Sequence, residues 1–424
     1  MSVKYIFPNE ILEIIFNFCD VCTLYQLTMV CRQFNIVACD TLNKKSQHLF
    51  VSITNQKSKK FGERCKPLLS SYNSIFITYY NWIYARYKRS EVYEAEERHV
   101  IYYETSNQSL QMTKNTVWFC EDGNFLAYNR ADNGTIKKDE KIVGNNYTFI
   151  KSIAHCDDYI ISGDVAGIIK HWRIESGKDR RNNLKYSEIH DVDTKIDFID
   201  ATSQHITSAS KNLIKILKYT DDKKGCTEEK QIFCGVDVEQ PEDYCFDDQI
   251  YVTSISFDPI GTKFAASFND YDQSSSSFLI YDIEKSYQVM EKECEESCCQ
   301  LLWEDPYTIL MCFEKSIKKM DMRVSDYVRT WNSSQYEYSF CCSSDNMYTF
   351  MTGHYECVLW DQRQSVAIQT YDVVHSVSSR GIISLAFDSG HMYAITRNFL
   401  YELDFTERHH FKHKKIKKLF GNFY

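Results

Sequence analysis

The sequence predicts a mainly β fold, a seven-bladed β-propeller preceded by a small helical module. Three observations support this prediction. Apolar residues recur with a helical period near the amino terminus, in residues 7–34. From about residue 97 onward, short strands rich in Val, Ile, Phe and Tyr alternate with polar turns. These strands return at a spacing close to the roughly 40 to 45 residues of a four-stranded propeller blade.

The first helix is predicted to begin at about Pro8. Proline suits the first turn of a helix, and Glu10 places a negative charge at the positive end of the helix. Apolar residues then follow at intervals of one, three or four positions, which places them on one broad stripe. These residues are Ile11, Leu12, Ile15, Phe16 and Cys19.

After a turn at residues 20–22, Thr23 can cap a second helix. The apolar periodicity continues in this helix through Leu24, Leu27, Val30, Cys31 and Phe34. Ile14 and Phe18 widen the apolar stripe of the first helix. A module of roughly 45 residues is too small to bury all of these side chains, so we expect a partner helix to cover some of them.

The same segment resembles the F-box family, whose consensus is approximately LPxEILxxIFxxLDxxDLxxLxxVCRxF. The alignment needs no gap, although Phe7, Cys19 and Thr23 replace a usual Leu, Leu and Asp. The closing Leu-Trp pair of the family is missing near Asn43 and Lys44. The resemblance implies a three-helix module that docks onto a Skp-type adaptor, and through it onto the cullin and RING subunits of a ubiquitin ligase. The adaptor-binding residues that it implies are Phe7, Pro8, Glu10, Ile11, Leu12, Ile15, Phe16, Leu24, Leu27, Val30, Cys31 and Phe34. The alternative is an amphipathic hairpin that belongs to a larger core.

Composition limits the remaining function classes. The chain has 424 residues, of which 43% are hydrophobic and 15% aromatic, which is enough for a packed core. Its net charge of -9 argues against nucleic acid as the principal ligand. We find no apolar run of about 18 residues and no basic leader, so we expect no membrane contact. The 17 cysteines are irregularly spaced and odd in number, which favours reduced thiols and a cytoplasmic or nuclear location.

The strand-rich region contains seven similar units. Each unit ends in a strand followed by a polar turn, and the proposed equivalent positions are Tyr128, Trp172, Leu217, Tyr281, Met320, Trp360 and Leu403. The steps between them are 44, 45, 64, 39, 40 and 43 residues. The long step is attributed to two insertions, predicted as surface loops at residues 221–248 and 269–277.

The units resemble WD repeats, which implies a WD40-like propeller. Residues 161–172, ISGDVAGIIKHW, contain a tight turn and Trp172, which would pack between blades. Residues 254–268, SISFDPIGTKFAASF, match the hydrophobic strand and Asp-Pro-x-Gly turn of the repeat, and Trp360-Asp361 forms a true Trp-Asp pair. Taken end to end, the chain resembles the dactylin-type F-box/WD-repeat proteins, a subfamily of SCF ubiquitin-ligase substrate receptors.

The predicted layout has four parts: an F-box (1–50), a connector (51–96), the propeller (97–408) and a basic tail (409–424). An open ring would expose strand edges, so its ends must meet. We expect the strand HVIYYE at 99–104 to pair with FLYELDF at 399–405. The aromatic segment IFITYYNWIYARY at 75–87 predicts a connector that packs as a rigid bridge.

No catalytic, cofactor or metal site is predicted. The sequence contains no GxSxG, P-loop, GxGxxG or HExxH motif. A CxxC at Cys19 and Cys22 lacks a second close pair, since Cys31 and Cys39 are eight residues apart. The histidines of the tail are interleaved with lysines that would repel a cation, so a solvated tail or an acidic-partner or nuclear-import patch is favoured there.

The resemblances to the F-box and WD-repeat families imply a non-catalytic substrate-recognition subunit of an SCF-type E3 ubiquitin ligase. The F-box would bind the adaptor and the propeller an unidentified target protein, with no nucleic acid or membrane involved. The alternative is a WD-repeat scaffold that binds the adaptor without promoting ubiquitin transfer. A propeller enzyme would require convergent ionisable groups or a metal near the central channel.

Overall fold

The computed structural model describes most of the chain in sixteen segments. They are residues 7–19, 21–49, 58–66, 72–94, 110–121, 124–144, 149–157, 159–173, 184–189, 194–220, 225–234, 250–270, 275–332, 341–373, 381–396 and 399–407. These segments contain a helical module followed by seven four-stranded sheets. The mainly β, seven-bladed architecture predicted from the sequence is confirmed.

Five helices are described, all ahead of the sheets. They are α1 (Asn9–Asn17), α2 (Val21–Leu27), α3 (Arg32–Leu49), α4 (Lys59–Arg64) and α5 (Tyr72–Ile83). Pro8 immediately precedes α1, and its carbonyl accepts a hydrogen bond from the Leu12 N–H at 3.2 Å. The predicted start of the first helix is therefore confirmed.

The second helix differs from its prediction. It begins at Val21, so Thr23 lies inside α2 and is not its cap. It ends at Leu27, and a turn containing Val30 separates it from α3, which carries Phe34. The side-chain amide of Asn35 donates to the Thr28 carbonyl at 2.8 Å, which satisfies a backbone group at the end of α2 and favours this break.

The three helices α1–α3 enclose a small core of their own. Its buried members are Leu12, Phe16, Leu24, Val37, Ala38 and Leu42. The rings of Phe16 and Phe34 pack edge to face, with centroids 5.3 Å apart. Leu12 and Phe16, which form one stripe of α1, are thus buried in the core of the module.

The seven sheets are numbered as blades in chain order, and each is antiparallel. The first strand, β1 (Lys88–Glu94), belongs to blade 7. Blade 1 contains β2 (Leu110–Met112), β3 (Thr116–Glu121), β4 (Asn124–Arg130) and β5 (Ile136–Gly144). Blade 2 contains β6 (Ile150–Cys156), β7 (Tyr159–Asp164), β8 (Ile168–Arg173) and β9 (Leu184–Ile189). Blade 3 contains β10 (Phe198–Ala201), β11 (His205–Ser210), β12 (Leu213–Tyr219) and β13 (Cys226–Phe233).

The remaining blades follow the same order. Blade 4 contains β14 (Ile250–Phe257), β15 (Lys263–Asp270), β16 (Ser275–Asp282) and β17 (Tyr287–Cys294). Blade 5 contains β18 (Cys298–Asp305), β19 (Thr308–Phe313), β20 (Ser316–Asp321) and β21 (Asp326–Asn332). Blade 6 contains β22 (Cys341–Ser344), β23 (Thr349–Gly353), β24 (Cys357–Asp361) and β25 (Ala367–Tyr371). Blade 7 contains β26 (Ser384–Phe387), β27 (His391–Ile395), β28 (Phe399–Asp404) and, as its fourth strand, β1.

The ring is closed by β1, which pairs antiparallel with β28 from Lys88↔Asp404 to Glu94↔Phe399. The prediction that the strand in residues 399–405 closes the ring is therefore confirmed, because β28 lies there. The prediction that its amino-terminal partner is the segment 99–104 is wrong. Both edges of β28 are occupied, by β27 and by β1, so residues 99–104 cannot pair with it. Residues 99–104 themselves lie outside the described residues. The closing strand belongs to the segment predicted as connector.

The repeat spacing is confirmed strand by strand. All seven anchor residues lie on the third strand of their blades, each opposite the second residue of the neighbouring strand. The pairs are Val117↔Tyr128, Ile160↔Trp172, Ile206↔Leu217, Phe264↔Tyr281, Ile309↔Met320, Phe350↔Trp360 and Met392↔Leu403. Trp172 packs with Trp118 of blade 1 and Ile153 of blade 2, so its predicted position between blades is also confirmed.

The two predicted insertion loops contain strand residues. Residues 226–233 of the first form β13, the fourth strand of blade 3. In the second, the β15–β16 ladder extends to the pair Asp270↔Ser275. The loop prediction was therefore wrong for these residues. Residues 235–249, which follow β13, and residues 271–274, which separate β15 from β16, lie outside the described part of the chain.

The connector helices pack on one end of the ring, which we call the connector face. This end carries the turns between first and second strands, including residues 113–115, 258–262, 306–307, 345–348 and 388–390, and the turns between third and fourth strands. Trp82 is fully buried there, and its indole N–H donates to the Ser389 carbonyl at 3.0 Å. Lys66 donates to the Asn115 side chain of blade 1 at 3.0 Å. The aromatic segment thus packs against the propeller as predicted.

None of the helices in the described ranges combines the length and apolar character that crossing a bilayer requires.

Candidate functional site

Helix α1 carries two apolar stripes that differ in their exposure. Leu12 and Phe16 are each 2% exposed and face α3. Ile11, Ile14, Ile15 and Phe18 are 42%, 57%, 45% and 88% exposed. At about 100° per residue, these four side chains fit within an arc of roughly 100°, next to the buried stripe. The helix therefore presents a continuous apolar surface that the module itself does not cover.

The turn after α2 adds to this exposed surface. Met29 and Val30 are 69% and 63% exposed. Gln33, near the start of α3, donates to the Phe7 carbonyl at 2.8 Å and to the Asn9 side chain at 3.0 Å. These bonds hold the amino end of α1 beside the start of α3. Phe7 is itself 54% exposed, so the apolar surface includes residues from both sides of this junction.

The twelve predicted adaptor-binding residues divide into three groups. The exposed group contains Phe7, Pro8, Glu10, Ile11, Ile15, Val30 and Cys31. Leu27 and Phe34 are half-buried. Leu12, Phe16 and Leu24 are buried in the module core and cannot reach a partner without rearrangement of the helices. The structure therefore brings seven of the predicted residues to the surface and places three in the supporting core.

Four exposed apolar residues were outside the predicted set. They are Ile14, Phe18, Met29 and Ile36, the last 50% exposed on α3. The widened apolar stripe of α1 was a signal for Ile14 and Phe18. Met29 and Ile36 interrupt the periodicity, and an apolar residue out of phase with a buried stripe is the signal that would have identified them.

One ion pair of the module lies away from the apolar surface of α1. Lys44 on α3 and Glu13 on α1 form an ion pair at 3.2 Å, and both side chains are exposed. An exposed pair of this kind contributes little to stability. Glu13 is on the side of α1 away from Ile11 and Ile15, so this ion pair lies outside the apolar surface.

The cysteines of the module have local partners. Cys19 donates to the Ile15 carbonyl, with 3.7 Å between sulfur and oxygen, and the Cys31 sulfur accepts the Phe34 N–H at 3.4 Å. Burial is the larger cause, and Asp40 a smaller one, of the raised pKa of the Cys39 thiol. Within the described residues, no group of three or more metal-binding side chains comes together.

A buried ionic cluster joins the connector to the ring. Arg130 of blade 1 pairs with Asp388 of blade 7, and both side chains are fully buried. The same guanidinium donates to the Arg64 carbonyl of α4 at 2.8 Å and to the Thr113 carbonyl at 3.0 Å. Burial alone would raise the pKa of Asp388, but Arg130 and His391 hold that pKa well below its usual range. The cluster therefore fixes α4 at the junction of the first and last blades.

Comparison with known proteins supports both parts of the architecture. The family model of the F-box domain matches residues 6–46. The chain is 28% identical over 111 residues to F-box/WD repeat-containing protein 4 of Mus musculus, and 27% identical over 111 residues to that of Homo sapiens. Each match covers 25% of this chain and 27% of the relative, so it spans about a quarter of the curated relatives.

The propeller also resembles a protein of known structure. A chain of the crystal structure of the mitotic checkpoint complex superposes with a TM-score of 0.54 at 13% identity. The superposition covers 74% of this chain and 90% of that chain. At this identity the likeness shows the fold alone. The predicted combination of an F-box domain and a WD-repeat propeller is thus confirmed, with distant homology to F-box/WD repeat-containing protein 4.

Proposed function

We propose, from an F-box domain joined to a seven-bladed propeller, that this protein is the substrate-recognition subunit of an SCF-type E3 ubiquitin ligase. The F-box would bind a Skp-type adaptor and, through it, the cullin and RING subunits. The propeller would bind the target protein. The observation that carries the proposal is the uncovered apolar stripe of α1, with Ile11 42% and Ile15 45% exposed inside a matched F-box.

The exposure of each side chain suggests its role in adaptor binding. Phe7, Ile11, Ile15 and Val30 would contact the adaptor directly, since burying such residues removes apolar area from water. Leu12, Phe16 and Leu24 would act indirectly, because they hold α1 against α3. Ile14 and Phe18 extend the same stripe, so we include them in the proposed contact surface.

The proposed mechanism is induced proximity. A ubiquitin-loaded conjugating enzyme elsewhere in the complex would meet the bound target at high effective concentration. The packed connector supports this role, because buried contacts such as the hydrogen bond from Trp82 to Ser389 would hold the connector in one position on the propeller. This chain would contribute binding and geometry, and no bond chemistry, in a cytoplasmic or nuclear setting.

The test is a binding measurement between the purified full chain and a purified Skp-type adaptor. We expect a double variant, Ile11→Asp with Ile15→Asp, to weaken binding at least about tenfold, because two charges would be buried against an apolar partner. Val328→Asp is the matched control, since Val328 is 51% exposed on an outer strand of blade 5. Equal affinity of all three proteins, or no binding by the wild type, would overturn the proposal.

A second measurement separates a ligase receptor from a scaffold that only binds the adaptor. Cells depleted of the protein should accumulate its propeller-bound partners if those partners are targets. Re-expression of the wild type should restore their turnover, and the Ile11→Asp, Ile15→Asp variant should not. Unchanged partner turnover despite intact adaptor binding would favour the scaffold.

A further inference from the structure

The connector face carries an apolar strip on three consecutive blades. It consists of Ile260 of blade 4, Tyr307 and Val324 of blade 5, and Met347, Tyr348 and Val366 of blade 6, which we call the blade 4–6 strip. These side chains are between 37% and 66% exposed. All six lie in turns at the same end of the ring. Large apolar side chains grouped in this way are typical of a protein-binding surface.

Blades 5 and 6 build this strip with the same side-chain arrangement. In blade 5, the Arg323 guanidinium forms a double hydrogen bond with Asp321, at 2.9 and 2.6 Å, and lies over the Tyr307 ring at 5.5 Å. In blade 6, Arg363 pairs with Asp361 at the same two distances and lies over the Tyr348 ring at 5.2 Å. Each arginine therefore makes a cation–π contact with an exposed tyrosine of the neighbouring turn.

The equivalent positions of the other described blades do not repeat this arrangement. In six blades the residue two positions after the anchor donates its N–H to the turn between the first and second strands. The accepting residues are Asn115, Gln204, Thr262, Tyr307, Tyr348 and Gly390. Tyrosine occupies this position only in blades 5 and 6 among these six, and in both it is matched by the arginine. The Tyr-Arg pair is therefore not required for closing a blade.

The strip continues an interface that the protein already forms within itself. Arg64 of α4 donates to the carbonyl of Ser344, three residues before Met347. On the next blade, Arg64 lies over the Phe387 ring at 5.3 Å, and Trp82 stacks on Phe405. Helices therefore cover this end of the ring from blade 6 through blade 7 to blade 1, and the exposed strip begins where α4 ends its contacts.

We propose that the blade 4–6 strip binds an α-helix of a partner protein, one whose contacting face is apolar or aromatic and carries no charge at its centre. A helix is favoured because α4 and α5 cover the neighbouring turns of the same face. An uncharged face is favoured because Arg323 and Arg363 already pair with Asp321 and Asp361, so neither arginine remains to pair with a buried carboxylate. The inference is independent of adaptor binding and goes beyond the proposed function.

The central contacts are expected at Tyr307 and Tyr348. A few residues carry most of the binding energy of a protein interface, and Trp, Tyr and Arg are enriched among them. Each tyrosine packs against its arginine, and this contact reduces the conformational entropy that the tyrosine would lose on binding. The valines at 324 and 366 flank the tyrosines on the turns between third and fourth strands.

The experiment places the photocrosslinker p-benzoylphenylalanine in the full chain, in place of Val324 or Val366, and expresses each protein in cells. The control replaces Val328, which is 51% exposed on β21 and lies outside the strip. Crosslinked peptides are then sequenced by mass spectrometry. We expect Val324 and Val366 to yield one peptide in common, from an apolar helical face of another protein, and Val328 not to yield it.

The identified partner is then purified and its affinity for the full chain is measured. Tyr307→Asp with Tyr348→Asp should weaken binding at least about tenfold, whereas Ile11→Asp with Ile15→Asp should leave it unchanged. Circular dichroism and the unfolding midpoint verify that each variant is folded. The proposal is overturned by the absence of a common peptide, by a peptide from a second copy of this chain or from a charged or extended segment, or by an affinity that the tyrosine variants do not change.

Discussion

The indole ring of Trp82 lies flat on the phenyl ring of Phe405, with centroids 3.6 Å apart and planes inclined by 11°. Trp82 belongs to the connector, and Phe405 follows the last strand of the ring. The Tyr371 hydroxyl donates to the Trp82 carbonyl at 2.8 Å, so blade 6 joins the same contact. Trp82 of the connector is thus part of the buried core of blades 6 and 7.

Replacing Trp82 with alanine should lower the free energy of unfolding of the propeller by about 3 to 5 kcal/mol, the usual cost of deleting a buried aromatic side chain. Thermal and urea unfolding followed by tryptophan fluorescence and circular dichroism measure it. Tyr84→Ala, at a residue 50% exposed on the same connector, is the control and should cost less than about 1 kcal/mol. Equal losses for the two variants would show that the stacking does not support the ring.

Replacing β1, residues 88–94, with a Gly-Ser segment of equal length should abolish cooperative unfolding of the ring. The reason is that β28 would lose one of its two neighbours and expose an unpaired edge. The matched control replaces residues 99–104 in the same way, and should retain the transition because β1 and β27 still cover β28. Hydrogen exchange of the β28 amides provides an independent measurement. A ring that unfolds cooperatively without β1 contradicts this closure.

The failure to predict β1 has a physical cause that also explains β13. Fourth strands lie at the outside of each blade and are largely solvated, so charged sequences such as KRSEVYE and CTEEKQIF can form them. In β1 only Val92 is buried. The third strands are buried along most of their length, and their periodic apolar residues made Trp172 and Trp360 reliable anchors. Sequence patterns therefore fixed the number and spacing of the blades better than their outer strands.

The candidate site was predictable in position but not in detail. The sequence identifies an apolar stripe on α1, yet Ile11 and Leu12 are chemically similar and their neighbours do not distinguish them. Which one is buried depends on the angle at which α3 packs, through Val37, Ala38 and Leu42. That angle is a tertiary property, so only the structure separates contact residues from supporting ones.

A pair of variants on α1 should separate these two roles. Leu12→Ala removes a buried side chain, and should destabilise the helical module by about 2 to 5 kcal/mol. Ile14→Ala changes a side chain that is 57% exposed, so its effect on stability should stay within about 0.5 kcal/mol. Hydrogen exchange of the α1 and α3 amides measures this difference. Similar protection losses in both variants would mean that Ile14 also supports the module.

Asp345 of blade 6 should make the stability of the ring depend on pH between about pH 4 and pH 7. Its side chain is fully buried, and one carboxylate oxygen accepts the N–H groups of Met347, Tyr348 and Thr349, each at 2.9 Å. The other oxygen has no hydrogen bond to any residue that the structure describes. Burial raises the pKa of Asp345 to about 6, with a smaller contribution from Glu304, against the lowering effect of the three N–H groups.

The sign of the pH effect follows from this raised pKa. Between the ordinary value of 3.8 and about 6, the folded state binds more protons at Asp345 than the unfolded state does. The contribution of this group to stability is therefore greatest at low pH and declines as the pH rises through that interval. Asp345→Asn keeps an oxygen for the three N–H groups and cannot ionise. Relative to wild type, its free energy of unfolding should rise by about 1 to 3 kcal/mol between about pH 4 and pH 7. Urea unfolding of both proteins across this range measures the difference, and a difference independent of pH would show that Asp345 has an ordinary pKa in the folded protein.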